Sequence, residues 1–356
     1  MKLALLLPNT ESSAPYLSYY LDIIEKNNLE YELFTWDREP KTKVNSNSYK
    51  SKNKGTNPLT TTIEYYRFGR FLKEKIKKGK FDRLIVFTPQ LGIFLGTFLT
   101  KEYSGKYILD IRDYSPVIDY FKKRFSMLIQ HSKITSISSK GFLNWLPKNR
   151  SYIISHNIST LLIQEHLQGN FKKTLFFSND KIRVDTIGAI RDFEANSSLL
   201  NSLMNKDNFE MSFIGRGPAI PLLESMAKKN KIKNVKFLGS YDKNQETKLL
   251  KLTDFINIIL DDNMASSYIT TNRLYLSALL KIPCITRNDT EQSKIITKYN
   301  LGLSINNFSE VSNEIVSYKE NFNKEQFIDN CTVFLQDVKK DQDQFEMVVQ
   351  TFITEI

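Results

Sequence analysis

Residues that build dedicated chemical centres are scarce in this chain. Only two of its 356 residues are cysteine, Cys284 and Cys331, too few for a disulfide framework or a multi-cysteine metal site. That count suits a reducing compartment. Three histidines, His131, His156 and His166, stand without metal-ligand spacing or cysteine partners. No apolar run approaches the roughly 20 residues that a membrane span needs. The opening MKLALLLPN is too short for a secretory apolar region and ends in Pro8-Asn9. It reads as a buried first strand, and the chain is expected to stay in the cytoplasm. No Walker A, G-x-S-x-G or G-x-G-x-x-G pattern occurs, so none of those motifs points to a function.

What is present describes a large globular protein. A length of 356 residues exceeds what one hydrophobic core usually serves, so two domains are expected. Hydrophobic content of 41% with 25% charged residues argues against disorder. The net charge of +11 is unevenly placed. Residues 1–170 hold 26 Lys and Arg against 15 Asp and Glu, whereas residues 171–356 hold 24 against 24. The basic half suits an anionic partner, either nucleic acid or an anionic bilayer surface, or is simply a solvated lysine-rich face.

Apolar strands alternate with helical stretches in both halves. In the first, KLALLLP (2–8), EYELFTW (30–36), DRLIVFTP (82–89), KYILDIRD (106–113), KITSIS and SYIISHNI (151–158) read as strands. Helices are expected over 16–28, 61–78 and 117–131, with another at GIFLGTFLTKEY. The polar segment 37–60 reads as a mobile loop. The second half restarts the rhythm with strands at TIGAI, FEMSFIG, NVKFLGSY, FINIILDD (255–262) and PCITR, and the acidic stretch from about 307 reads as helices. The pattern predicts an α/β protein of two doubly wound, Rossmann-like domains facing a central cleft. Expected boundaries are 1–165, 166–335 and a C-terminal helix over 336–356 that packs back on the first domain.

The order of short motifs narrows the possibilities. TIGAIRDF (186–193), SFIGRGP (212–218), NVKFLGSY (234–241) and NRLYLSALLKIPCI (272–285) follow one another as in GT-B glycosyltransferases. The chain resembles especially the family 4-like enzymes of bacterial surface and capsular polysaccharide synthesis. YILDIRDYSP (107–116), SISSKGF (136–142) and SHNI (155–158) match the first domain of that family more loosely. The resemblance covers most of the chain and implies a nucleotide-sugar donor bound by the second domain.

Candidate donor-binding residues follow. Gly188 permits a tight turn after its strand, and Arg191 has the planar fork suited to a phosphate, or else pairs with Asp192 or Glu194. Gly215, Arg216 and Gly217 precede Pro218, expected in the first turn of a helix. Their amides face an anion, or they form a plain strand-to-helix turn. Relatives carry an E-x7-E pair here, whose second glutamate holds the ribose hydroxyls. In this chain those slots are Tyr268 and Leu276, so both carboxylates are missing. Ser266, Ser267, Thr270, Thr271 and Asn272 offer polar groups to the donor instead, with Thr271 or Asn272 alternatively an N-cap. Relatives' lysine after the Gly-Arg segment is also missing, and Arg273 is the candidate replacement.

On the acceptor side, Asp113 and then Glu11 are the candidate catalytic bases. Arg112 stands where many relatives carry histidine and cannot serve as a base. Asp261-Asp262 is either a metal-binding pair or a helix cap, and the resemblance implies a metal-independent reaction with no cofactor beyond the nucleotide-sugar co-substrate. Lys122, Lys123 and Arg124, beside Tyr120, Phe121 and Phe125, form the candidate membrane contact.

The sequence therefore predicts a hexosyltransferase-type enzyme at the inner face of the cell membrane. It would move a sugar, expected to be UDP-linked, to a lipid-linked saccharide. The alternative is a GT-B-like subunit with a decayed donor site that assists a partner or binds glycan. Nucleic-acid binding through the basic half is a third reading, with no recognition module to support it.

Overall fold

The computed structural model describes residues 1–37, 47–51, 57–171 and 176–355. The chain divides into two compact units, Met1–Asn157 with Lys340–Ile356, and Ile158–Lys339. Both are α/β, each built on a parallel sheet whose successive strands are joined largely by helical crossovers.

In the first unit the strands are β1 (Lys2–Leu7), β2 (Glu30–Asp37), β3 (Ser48–Lys50), β4 (Arg83–Phe87), β5 (Tyr107–Ile111), β6 (Ile134–Ile137) and β7 (Ile153–Ile154). Their order is β3-β2-β1-β4-β5-β6-β7. Leu3, Ala4, Leu5, Leu6 and Leu7 are all fully buried, so both faces of β1 are covered. This is why an unbroken apolar run, rather than an alternating one, makes the central strand. Leu3, Leu5 and Leu7 share a core with Tyr20 and Ile24, and with Phe345, Val349 and Phe352 of the final helix, which spans Lys324–Thr354.

The second unit contains β8 (Ile182–Ala189), β9 (Phe209–Arg216), β10 (Val235–Gly239), β11 (Phe255–Asn257), β12 (Cys284–Arg287) and β13 (Gly302–Ile305) in the order β10-β9-β8-β11-β12-β13. One core gathers Ile187, Ile256, Leu274, Ala278 and Phe334, and another gathers Val184, Leu199, Phe213 and Ile285.

Several elements depart from the sequence expectation. Residues 38–46 and 52–56 of the expected mobile loop lie outside the described residues, but Ser48–Lys50 between them pairs with β2 as an edge strand. The next helix starts earlier, at Pro58, because the Asn57 side chain accepts from Thr60 N. The expected helix 117–131 is two, Val117–Tyr120 and Lys122–His131, broken by non-helical Phe121. Helix Pro89–Glu102 kinks at Gly96, whose φ is +35°. The strand expected over 255–262 ends at Asn257, whose side chain turns back to accept from Ile259 N at 3.0 Å. No helix among the described residues is long and apolar enough to cross a membrane.

Candidate functional site

Strand order decides where each sheet opens. In the second unit the chain runs from β8 outward through β9 to β10, then returns to the other side of β8 for β11, β12 and β13. Open parallel sheets present their crevice at such a reversal, beyond the carboxyl ends of the two diverging strands. Here those ends are Gly188-Ala189 of β8 and Asn257 of β11.

The β8 end is built from glycine because backbone crowds backbone. Gly188 has φ +101° and stands in register with Gly215 of β9, at φ +141°. A Cβ on Gly215 would lie 1.9 Å from the Gly188 carbonyl oxygen, and one on Gly217 would lie 1.9 Å from that of Ile190. Ile190 N donates to Arg216 O at 2.9 Å, and Ala219 N returns to Ile190 O at 3.3 Å. Close packing of turn on strand thus accounts for Gly215 and Gly217. Pro218 precedes the helix instead of opening it, because the Gly217-to-Ile220 turn takes up those residues. The helix begins at Ile220, with Pro221 in its first turn. Arg216 is exposed.

Beyond β8, Arg191 is exposed and makes no ion pair or hydrogen bond among the described residues. Its sequence neighbour Asp192 faces elsewhere, accepting from Asp261 N at 3.2 Å. Asp261 in turn accepts from Ala195 N at 2.8 Å, bonding the first turn of helix Phe193–Leu203, while Asp262 pairs with Arg287 at 2.5 Å. These two adjacent aspartates serve different partners.

At the β11 end, the Asn257 side chain donates to Thr186 Oγ1 and Asn196 Oδ1, both at 2.9 Å, and its carbonyl accepts from Arg273 Nη1 at 2.9 Å. Arg273 projects from the start of helix Asn272–Leu280 and is only half exposed. Burial lowers its pKa, and the fields of Asp192 and the Tyr241 hydroxyl oppose that shift. The Tyr241 hydroxyl lies 3.9 Å from where a Cβ on Gly188 would stand, and donates to Glu246 Oε1 at 2.8 Å. Burial, then the Glu246 carboxylate, pushes the Tyr241 pKa up, so the phenol keeps its proton. Gly188 thus stands between Gly215 and the Tyr241 hydroxyl, Arg273 lies within the field of Tyr241, and Arg191 follows three residues beyond Gly188.

The hydroxyl-rich segment before helix Asn272–Leu280 is largely committed to internal bonds. Thr271 holds the N-cap position, but its hydroxyl donates to Gln292 Oε1 at 2.6 Å and its amide donates to the same oxygen at 3.1 Å. Buried Gln292 closes the tie by donating to Ile258 O at 3.1 Å. Thr270 is buried. Ser267 Oγ donates to Asn263 O and receives Arg287 Nη2 at 3.4 Å, beside the Arg287–Asp262 pair. Asn272 alone of Thr270, Thr271 and Asn272 is exposed. Tyr241, Glu246, Asn257 and Gln292 are not among the residues expected from the sequence. Asn257 had a signal, a lone amide inside FINIIL, whereas Gln292 had none.

In the first unit the reversal falls between β1 and β4. Exposed Glu11 opens the 3-10 turn Glu11–Ser13 after β1. Thr88 follows β4 at φ +76°, a conformation that strains a β-branched residue, and its amide donates to Asp110 O at 2.8 Å. Asp113 is exposed just after β5. Asp110 and Arg112 are buried partners: Arg112 Nε and Nη2 donate to Asp110 Oδ2 at 3.0 and 2.8 Å. Arg112 also donates to Ser155 O, Ser155 Oγ and Asn157 Oδ1, and stacks 4.7 Å from the Tyr16 ring centre. Burial works against its charge and the Asp110 field more than restores it.

The three histidines each have a separate partner: His131 with Ser104, His156 with Asp341, and His166 with the Leu279 carbonyl. Lys122, Lys123 and Arg124 are exposed; Lys122 pairs with Asp119 at 3.6 Å and Arg124 lies 5.5 Å from the Phe121 ring centre. Tyr120 is 84% exposed and Phe121 41%, but Phe125 is 2% exposed and packs on Trp145. Phe125 therefore belongs to the core and not to the expected aromatic surface, because it occupies the inward face of its helix.

No protein-family model and no curated protein matches the chain. Solved structures do. Sucrose-phosphate synthase from Thermosynechococcus elongatus superposes with a TM-score of 0.73 at 11% identity, covering 99% of both chains. An α,α-trehalose 6-phosphate synthase from Burkholderia multivorans gives 0.65 at 9% identity over 98% of both. HepE of Anabaena, solved in complex with UDP, gives 0.64 at 10% identity over 97% of this chain and 98% of its own. At such identities the likeness is one of fold, and that fold is the two-unit, Rossmann-like GT-B architecture.

Proposed function

We propose that the chain is a GT-B glycosyltransferase using a nucleoside diphosphate-sugar, with a lipid-linked saccharide as acceptor in bacterial surface polysaccharide synthesis. The observation that carries the reading is the end of β8: a glycine turn at the sheet's reversal, flanked by anchored Arg273 and by exposed Arg191, which is unpaired among the described residues. Two guanidinium groups beside a strand end suit a diphosphate, whose charge grows as it leaves. Several proteins of like fold are named for such chemistry, among them UDP-forming trehalose-phosphate synthases, and HepE was also solved with UDP and glucose.

In the transfer, the bond from the anomeric carbon to the diphosphate breaks and a bond to the acceptor oxygen forms. The acceptor proton passes to a carboxylate of the first unit, Asp113 or Glu11, both exposed near strand ends. In this reading arginines meet the leaving-group charge and no resident metal or further cofactor is required. Lys122, Lys123 and Arg124, with exposed Tyr120 and Phe121, would hold the first unit on an anionic inner membrane face. Nucleic acid is not the expected partner.

A second reading, a subunit that binds glycan or assists a catalytic partner, is favoured by Tyr268 and Leu276 standing in the carboxylate slots and by Thr271 being tied to Gln292. Calorimetry with UDP-, GDP- and CMP-sugars, followed by a product assay with lipid-linked acceptors, separates the two. Binding with turnover supports the enzyme. Absence of binding by every donor refutes it and leaves the assisting subunit.

A further inference from the structure

A nucleoside's ribose presents two adjacent hydroxyls, and the acceptor that suits both is a carboxylate with a free oxygen. Residues 263–283, which run from the loop after β11 through helix Asn272–Leu280, contain no Asp or Glu. A carboxylate does stand at the same edge of the sheet, on a different element. Glu246 follows β10, is half-buried, and has Oε1 fixed by the Tyr241 hydroxyl at 2.8 Å. Its Oε2 has no hydrogen-bond partner among the described residues. Tyr241 in turn stands 3.9 Å from a Cβ position on Gly188 and within the field of Arg273.

We infer that Glu246, oriented by Tyr241, is the residue that grips the ribose diol of a nucleoside diphosphate and sets preference for ribo- over deoxyribonucleotides. This rests on the donor-binding reading of the β8 and β11 ends given above. The arrangement is asymmetric in a useful way. Arginines at the β8–β11 reversal take the anionic phosphates, and the carboxylate beyond β10 takes the neutral, hydrogen-donating sugar. A carboxylate placed among the phosphates would repel them, whereas at the ribose end it meets only donors. The Tyr241 bond holds the side chain in one rotamer, so little ordering remains to be done on binding. Asp192 is the rival acid at this edge, but one of its oxygens already accepts from Asp261 N and it lies in the field of Arg273.

Calorimetry on the full chain with UDP, GDP and ADP and their 2′-deoxy counterparts tests the assignment. The parent protein should favour the ribonucleotide by about tenfold or more, the scale of a charge-assisted hydrogen bond. Glu246→Gln should weaken the ribonucleotide by a similar factor while leaving the deoxy form within about twofold, so that the ratio falls towards one. Tyr241→Phe, which frees the carboxylate without removing it, should lower the ratio in part. Thermal unfolding of each variant reports folding separately. Unchanged preference in Glu246→Gln, or its loss in Asp192→Asn instead, overturns the role of Glu246 while the donor site stands. Failure of all three ribonucleotides to bind the parent overturns the donor reading and this inference together.

Discussion

Gly215 and Gly188 face each other across β9 and β8 so closely that a methyl group on Gly215 would come within 1.9 Å of the Gly188 carbonyl oxygen. Gly215 also has φ +141°, which L side chains rarely adopt. Gly239, at φ +68°, has open space around its Cβ position. Gly215→Ala should therefore destabilise the second unit by at least about 2 kcal/mol, from clash and strain together. Gly239→Ala should cost only about 1–2 kcal/mol from backbone strain. Denaturant melts of the two variants check the contrast.

Arg191 is exposed and has no hydrogen bond or ion pair among the described residues. Arg191→Ala should leave the melting temperature within a degree or so while weakening UDP binding by about 10–100-fold, the scale of a lost charge-assisted hydrogen bond. Calorimetry beside a thermal scan decides. Equal affinity in variant and parent removes Arg191 from the site.

Gln292 ties Thr271 to the carbonyl of Ile258 through three bonds made inside the protein. Leucine in its place has a similar size but leaves an amide, a hydroxyl and a carbonyl without their partner. Gln292→Leu is expected to cost about 3 kcal/mol or more, read as a shift in the denaturant midpoint. A change below about 1 kcal/mol would show that water replaces the amide freely.

Acid should loosen the packing of residues 340–354 inside the first unit. His156 N donates to Gln342 Oε1, and the His156 ring meets Asp341 at 3.1 Å, with Lys140 on the same carboxylate at 2.9 Å. Burial lowers the His156 pKa below its ordinary 6.5, more than Asp341 raises it, with Lys140 and Arg112 adding to the depression. Folding therefore favours the neutral ring, and this contribution is complete above pH 6.5 and declines below it. Burial alone would raise Asp341, but hydrogen bonds from His156 and Lys140 outweigh it and hold the pKa at about 2 against an ordinary 3.8. The Asp341 contribution is present above pH 3.8 and is lost as pH falls towards 2. Denaturant midpoints across pH 2–8 should fall on acidification in both windows. Asp341→Asn should flatten the lower one and His156→Gln the upper one.

Much of the fold was legible because its signals are local and strong. Apolar runs such as KLALLL and RLIVF are too continuous for half-exposed strands, and they form β1 and β4 at the centre of a covered sheet. The edges were harder to read. β3 and β7 are short, and β11 stops at Asn257 because a side chain competes with the ladder, which apolar periodicity does not register. Within the site, Gly188 and Gly215 were visible as glycines flanking polar turns, but the reason for Gly215, contact with another strand's carbonyl, is a long-range fact. Thr271 shows the limit most clearly. Its sequence context offers a hydroxyl to a ligand, whereas the fold gives that hydroxyl to Gln292, twenty-one residues away. Tyr241 and Glu246 lie outside the opening motif of helix Asn272–Leu280 and meet the site only through the order of strands.

A crystal structure of the chain with UDP bound would locate the diphosphate. Its diphosphate oxygens should lie beyond the carboxyl ends of β8 and β11, within about 3 Å of the Arg191 or Arg273 guanidinium. A nucleotide bound elsewhere on the chain, with both arginines left in water or in their present contacts, would contradict it.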